Sequence, residues 1–489
     1  MSIINFEVLD LEKSNLSNKE IETFVLSLVE FKLKKQNKKF HRYFKQEIFL
    51  FEGKKSFVEF DAVAPDGIDE IEGPTIIEFK RYYSPKVITD LIRNFSEAFF
   101  NFKSILLIFG DVLLNDDLIY LNSLKKFYSG VIHFEFWDYN NLNKLAKKYN
   151  IESSKIVSNI GDEILNSTVE IASNIQDWKE DRDLLINKLN QSFKSDEIVF
   201  FIGAGASKDA GLPNWNELLK SLNISIIESK VPLGLSQEQK DEIVNLLTDL
   251  QAGAPLVTAS YIQKALGDKF NQEIRSSLYV GMKHLEEQRL LNTIATAARP
   301  IRNKVGIKSI ITYNFDDLLE QHLSSKSIDY KSIYREGDFE ELTKLPIYHV
   351  HGFVPSKGDK YKDLEKALLV FSEDGYHSLQ YDPYSWSNLV QLKALRENTC
   401  ILVGLSGIDP NLRRLFSNFA KRFDGCKHYI LLERQLKESN LTLTKIQFNS
   451  FSNLHHKIQE EVFRELGLRV IWYTDHTEIP NLIQKITEL

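Results

Sequence analysis

The sequence predicts two α/β domains, the second a doubly wound parallel sheet that carries a helical insertion. Three observations lead there. From residue 181 to 489, short apolar runs alternate with helix-patterned segments, the spacing that successive βαβ units produce. A glycine-rich turn, Gly203-Ala204-Gly205-Ala206-Ser207, joins a strand to a helix. Residues 1–150 read helix–strand–strand–helix–strand–strand, with the turn residues Pro65-Asp66-Gly67 between the first two strands.

The first helix is announced by Ser17 and Glu20, a capping box, followed by Ile21, Phe24, Val25 and Leu28 at helical spacing. Strands are expected at Phe57–Ala64, Thr75–Lys80, Ser104–Phe109 and Val131–Trp137, and a helix over Val87–Phe102. Residues 1–150 are therefore read as one domain and residues 151–180 as a helical or irregular linker. Residues 181–489 are read as the second domain. Its expected strands are Glu197–Ile202, Ser309–Tyr313, Ile347–His351, Leu368–Phe371, Thr399–Gly404, His428–Leu432 and Arg469–Tyr473. Residues 236–300 are mostly helical in pattern and form the insertion.

Composition narrows the function. The chain has 489 residues, 43% of them hydrophobic and 26% charged, with a net charge of −7. That balance fits a folded protein and excludes a globally basic nucleic-acid binder. Most of the negative charge falls beyond residue 150. The first domain is near neutral and holds one basic run, Lys32, Lys34, Lys35, Lys38, Lys39, Arg42 and Lys45. Such a run suits phosphate contacts or a solvated helix face. The two cysteines, Cys400 and Cys426, exclude a disulfide framework and a four-cysteine zinc site. With no signal peptide and no long apolar run, a cytoplasmic protein without membrane contact is expected.

Glycines at a strand–helix turn let backbone amides approach a pyrophosphate, and the following helix N-terminus favours its charge. Three further segments fall at expected strand ends: Thr312-Tyr313-Asn314-Phe315-Asp316, His349-Val350-His351-Gly352, and Gly404-Leu405-Ser406-Gly407-Ile408-Asp409-Pro410-Asn411-Leu412. In an open α/β sheet the carboxyl ends of the strands form the ligand crevice, so all four segments converge. His349 points to the opposite strand face from His351 and is read as structural.

Together these segments resemble the sirtuin fold over roughly residues 181–489. More narrowly, Gly-x-Ser-x-x-Asp-Pro-Asn-Leu resembles the sirtuin-like domains of bacterial antiphage defence proteins. The resemblance implies hydrolysis of NAD to nicotinamide and ADP-ribose, in a homo-oligomer, with an operon-encoded or phage protein as a further partner. It implies Asn314 and His351 as catalytic residues. It places Gly203, Ala204, Gly205, Ser207, Asp316, Gly404, Ser406 and Asp409 at the dinucleotide. The chain departs from deacylating sirtuins in lacking the zinc cysteines and in reading Pro213-Asn214-Trp215-Asn216 where they carry an arginine, so no zinc is expected.

In the first domain, Glu78 and Lys80 share one strand face and Asp61 can face them across the pair. Two carboxylates can hold Mg²⁺, and a lysine can position or deprotonate an attacking water. The set Asp61…Pro65-Asp66-Gly67…Glu78-Phe79-Lys80-Arg81-Tyr82 resembles the PD-(D/E)xK restriction-endonuclease fold over roughly residues 15–145. That resemblance implies Asp61, Glu78 and Lys80 as catalytic, with Asp61 and Glu78 on the metal. Asp66 is the alternative first acid, and Glu22 or Glu30 can add another. A nucleic-acid partner follows, bound or cleaved by this domain. Two further functional readings remain: a Mg-dependent nuclease effector with NAD as regulatory ligand, and a non-catalytic module binding NAD and nucleic acid.

Overall fold

The computed structural model describes residues 16–49, 53–173, 177–195, 198–230, 234–251, 254–300, 306–421, 425–434 and 444–488. The chain divides into two compact units.

The first unit holds a five-stranded sheet in the order β1 (His41–Phe49), β2 (Lys55–Ala64), β3 (Thr75–Lys80), β4 (Ser104–Phe109) and β5 (His133–Trp137). β1, β2 and β3 pair antiparallel; β3, β4 and β5 pair parallel. Both faces are covered, and β4 shows why. All six of its residues are buried; Ile105, Leu107 and Phe109 enter one core and Leu106 and Ile108 the other. The first core takes Phe95 and Phe99 from the Pro85–Asn101 segment and Phe102 just after it. The second takes Ile21, Phe24 and Leu28 from the helix Asn18–Lys35, whose capping box forms as read: Glu20 N–H donates to Ser17 Oγ at 3.2 Å and Ser17 N–H to Glu20 Oε2 at 2.7 Å.

One strand and the grouping of three helices differ here from the expectation. β1 is a strand that the pattern does not announce, because it lies at the sheet edge, half-buried, with polar and apolar residues mixed. Residues 150–158 and 160–173, read as linker, are helices of this first unit. The helix Lys445–Arg464 groups with it as well, with Arg464 paired to Glu59 and Glu461 to Lys19.

The second unit is built on seven parallel strands in the order β12-β11-β10-β6-β7-β9-β8. They are β6 (Ile198–Ile202), β7 (Ile307–Thr312), β8 (Tyr330–Ile333), β9 (Leu345–His349), β10 (Thr399–Val403), β11 (His428–Glu433) and β12 (Leu468–Tyr473). β6 and β10 are buried at every position, as central parallel strands must be. After β6 the chain adds β7, crosses to the edge strand β8 and inserts β9 between them, then returns to lay β10 on the other side of β6. The strand order therefore reverses between β6 and β10, and the crevice opens at their carboxyl ends. Helices 237–251, 255–266, 270–279 and 289–297 occupy the expected insertion. Leu368–Phe371, expected as a strand, is not one. Val370 N–H donates to the His351 carbonyl at 2.6 Å and Val370 and Phe371 are buried, so the apolar run packs over the end of β9 without joining the ladder.

Candidate functional sites

At the crevice the two glycine segments lock together. Gly203 N–H donates to the Val403 carbonyl at 3.0 Å and Gly205 N–H to the Gly404 carbonyl at 2.9 Å. Their backbones approach so closely that a Cβ on Gly203 would lie 2.4 Å from Leu405 Cδ2 and 2.6 Å from the Gly404 oxygen. Ala204 is exposed beside them, as is Ser406 in the loop after β10. The turn thus presents backbone, not side chains, to whatever lies in the crevice.

Asn314 and Asp316 follow β7. Tyr313 N–H donates to the Ile202 carbonyl at 2.8 Å, which pins the segment against the glycine turn. Ser207 bridges the two polar side chains: Asn314 Nδ2 donates to Ser207 Oγ at 3.0 Å, and Ser207 Oγ donates to Asp316 Oδ2 at 3.0 Å. Asp316 Oδ1 accepts from Leu318 N–H at 3.1 Å. Burial holds the Asp316 carboxyl up at about 6, against the lowering effect of the Leu318 amide and the Ser207 hydroxyl.

His351 follows β9, one strand from β7, and is buried. Its ring lies 4.3 Å from that of Tyr313 and 5.5 Å, edge-on, from that of Tyr376. Burial lowers its pKa, partly offset by Asp409, so the imidazole is neutral near pH 7 and able to take a proton. Asp409 itself is engaged: Oδ1 caps the helix Pro410–Ala420 through Leu412 N–H at 2.8 Å, and Oδ2 accepts from Tyr376 Oη at 2.5 Å. Two buried atoms here, Asn314 Oδ1 and His351 Nε2, have no hydrogen-bond partner among the described residues. A buried polar atom without a partner is costly, and a ligand that supplies one removes the cost.

Tyr376, Gln391 and Glu320 also belong to this setting and escaped the sequence reading. Gln391, fully buried, accepts from Tyr313 Oη and fixes the ring under His351. No motif or local spacing marks these residues, because the bonds to Tyr313, His349 and Asp409 that place them here span 78, 29 and 33 positions.

In the first unit the structure brings Asp61, Glu78 and Lys80 together. β2 and β3 pair at Ala62 and Ile77, which sets Asp61 opposite Glu78. Asp61 N–H donates to Glu78 Oε1 at 3.0 Å and Phe79 N–H to Asp61 Oδ2 at 2.8 Å. Lys80 Nζ lies 2.9 Å from Glu78 Oε2 and 3.8 Å from Asp61 Oδ2. Burial, helped by the Asp61 charge and opposed by Lys80, pushes the Glu78 carboxyl up to about 8. The other acids stand elsewhere. Asp66 accepts from Lys39 N–H, Glu22 bonds Lys19, and Glu30 pairs with Arg42 and Lys34. Among the described residues no cluster of three His, Cys, Asp or Glu side chains could hold a metal. The basic run is also partly neutralised: Lys32 pairs with Asp69, Arg42 with Glu30 and Lys45 with Asp181.

One prediction follows from Glu78. A carboxyl whose pKa is raised by folding binds its proton more tightly in the folded state. Stability from this group is full below the usual value of 4.5, declines as pH rises towards about 8, and levels off above it. Chemical denaturation followed across that window should show the decline in metal-free protein, and Glu78→Gln should remove it.

No described helix is long and apolar enough to cross a membrane. Compared with known proteins, residues 308–451 match the family model described as a SIR2-like domain. The chain is similar to NAD(+) hydrolase ThsA of Enterococcus faecium, 21% identical over 318 residues, which cover 63% of this chain and 58% of that protein. It is similar to NAD(+) hydrolase ThsA of Acinetobacter baumannii, 20% identical over 324 residues, covering 64% and 57%. It is similar again to NAD(+) hydrolase ThsA of Bacillus cereus, 21% identical over 316 residues, covering 62% and 56%. The chain thus spans little more than half the length of these curated relatives.

Proposed function

We propose that the second unit hydrolyses NAD⁺ to nicotinamide and ADP-ribose, and that the chain serves as an antiphage effector. The observation that carries this reading is the pair of buried, unpartnered atoms, Asn314 Oδ1 and His351 Nε2, beside the interlocked glycine turns at the strand-order reversal. The names of the relatives support the hydrolysis. Breaking the nicotinamide–ribose bond develops oxocarbenium character at the ribose. The bonding pair leaves with nicotinamide, a water oxygen bonds to the anomeric carbon, and its proton goes to a base. Asn314 Oδ1, held by its amide nitrogen on Ser207, orients a ribose hydroxyl or the water. His351, neutral in its buried setting, takes the proton. The interlocked turns, with Ala204 and Ser406 exposed on them, lie beside the pyrophosphate.

The test is nicotinamide release from NAD⁺ by the purified chain, with and without DNA. No release under any condition, candidate partners included, overturns the reading. Release stimulated by DNA supports regulation by the first unit. A pH profile adds a check. Ionised Asp316 accepts from Ser207, so kcat/KM should rise as pH passes about 6, and Asp316→Asn should flatten that limb.

A second reading rests on the convergence of Asp61, Glu78 and Lys80. A Mg²⁺ ion there would have Asp61 and Glu78 as its carboxylates, completed by solvent, and Lys80 beside them to hold the attacking water. Asp61→Ala and Glu78→Ala should then abolish Mg-dependent cleavage of DNA or RNA while sparing nicotinamide release. Unchanged cleavage in both variants, or none in the wild type, removes this reading.

A further inference from the structure

We propose that the buried pair Glu320–His349 is a positioning device for Asn314. This inference rests on the proposed NAD⁺ hydrolysis at Asn314 and His351. His349 closes β9, and Glu320 lies in the helix Leu318–Ser325. Both side chains are only 1% exposed, and His349 Nε2 lies 2.7 Å from Glu320 Oε1. The same Glu320 oxygen accepts from Ser332 Oγ at 2.8 Å. The other ring nitrogen, His349 Nδ1, faces the backbone carbonyl of Asn314 at 3.4 Å, and the ring packs 4.1 Å from that of Phe353.

Asn314 is therefore held from three sides. Its N–H donates to Thr312 Oγ1 at 3.0 Å, its carbonyl meets His349, and its Nδ2 donates to Ser207. Its Oδ1 has no partner among the described residues and is left for a ligand. A hydrogen on Nδ1 lets the ring donate to the Asn314 carbonyl, and one on Nε2 lets it donate to Glu320. An imidazole–carboxylate pair this deep brings little net stability, since a well-packed apolar pair of similar volume does as well or better. Its place directly behind the Asn314 carbonyl gives it a second use. Small errors in the placing of a reacting group cost large factors in rate.

The test compares wild type with His349→Phe and with the double variant H349F/E320Q. The double variant keeps a folded chain available, because it leaves no unpaired carboxylate behind. NAD⁺ turnover is measured with the thermal midpoint of each variant. The expected result is a kcat lowered at least about tenfold with KM for NAD⁺ little changed, in a variant that still melts cooperatively. A kcat within about twofold of wild type in either folded variant overturns the proposal, because misplacement should cost more. The side-chain amide of Asn314 gives a readout independent of turnover. In protein labelled with ¹⁵N-asparagine, its resonance, identified by its loss in Asn314→Ala, should move in H349F/E320Q. An unmoved resonance overturns positioning. If the wild type releases no nicotinamide but the resonance still moves in H349F/E320Q, only the hydrolase reading is overturned.

Discussion

Replacing Asn314 with alanine is expected to lower nicotinamide release from NAD⁺ by about 10²–10³-fold, the usual loss when one preorganised polar group is removed from a reacting centre. Replacing His351 with alanine should cost about 10²–10⁴-fold, as loss of a general base does. The reason to expect catalytic and not structural damage lies in the hydrogen bonds. Asn314→Ala removes one donor to Ser207 but leaves the Ser207–Asp316 bond of 3.0 Å and the backbone N–H bond to Thr312 in place. His351 Nε2 has no partner to lose among the described residues. Both variants should therefore melt close to wild type. Were Asn314 only a packing residue, an aspartate of nearly the same size in its place would leave turnover close to wild type. Under the catalytic reading Asn314→Asp is also slow, because a carboxylate has no N–H for Ser207 and places a charge beside Asp316. Measured turnover and melting midpoints of Asn314→Ala, Asn314→Asp and His351→Ala separate the two readings.

Much of this arrangement is legible in the sequence because it is local. The Ser17–Glu20 box needs two residues three apart, and the glycine turn needs residues without a Cβ where two backbones meet. The strand ends bearing Asn314, His351 and Gly404 are marked by apolar runs that stop abruptly, and parallel topology then brings those ends together. What stays hidden is tertiary. β1 reads as a basic run because an edge strand need not alternate cleanly, and its Arg42 and Lys45 answer to Glu30 and Asp181, not to solvent. The helix Lys445–Arg464 has the pattern of any crossover helix, and nothing in its periodicity says that it groups with the first unit. Asp409 sits in a motif that suggests a direct role at the dinucleotide, yet both its oxygens are bonded within the protein, one to Tyr376. His349 reads as structural from its strand face, and it is buried as that reading requires. Its partner Glu320 is 29 positions away and only the folded chain shows them as a pair.

The glycine turn also yields the second large effect, on stability as well as turnover. Gly404 stands at φ +70°, and a Cβ added there would lie 2.2 Å from the Ala206 nitrogen and 2.9 Å from the Gly203 oxygen. Neither neighbour can swing aside, because both are backbone. Gly404→Ala must therefore strain the left-handed residue and push the two turns apart, breaking the Gly205–Gly404 bond of 2.9 Å. A cost of about 2–4 kcal/mol is expected, the sum of a left-handed penalty and a backbone clash. Gly234 supplies the control within the same unit. It too has positive φ, at +57°, but a Cβ there meets nothing within 4 Å, so Gly234→Ala should cost only about 1 kcal/mol. Denaturation midpoints give the stabilities, and NAD⁺ titration by calorimetry gives the site. If the interlocked turns cradle the pyrophosphate, Gly404→Ala loses binding even in buffer cold enough to keep it folded, while Gly234→Ala binds as wild type does. Equal binding by the two variants would mean that the turns serve the fold alone, and the phosphates would have to be held by other residues.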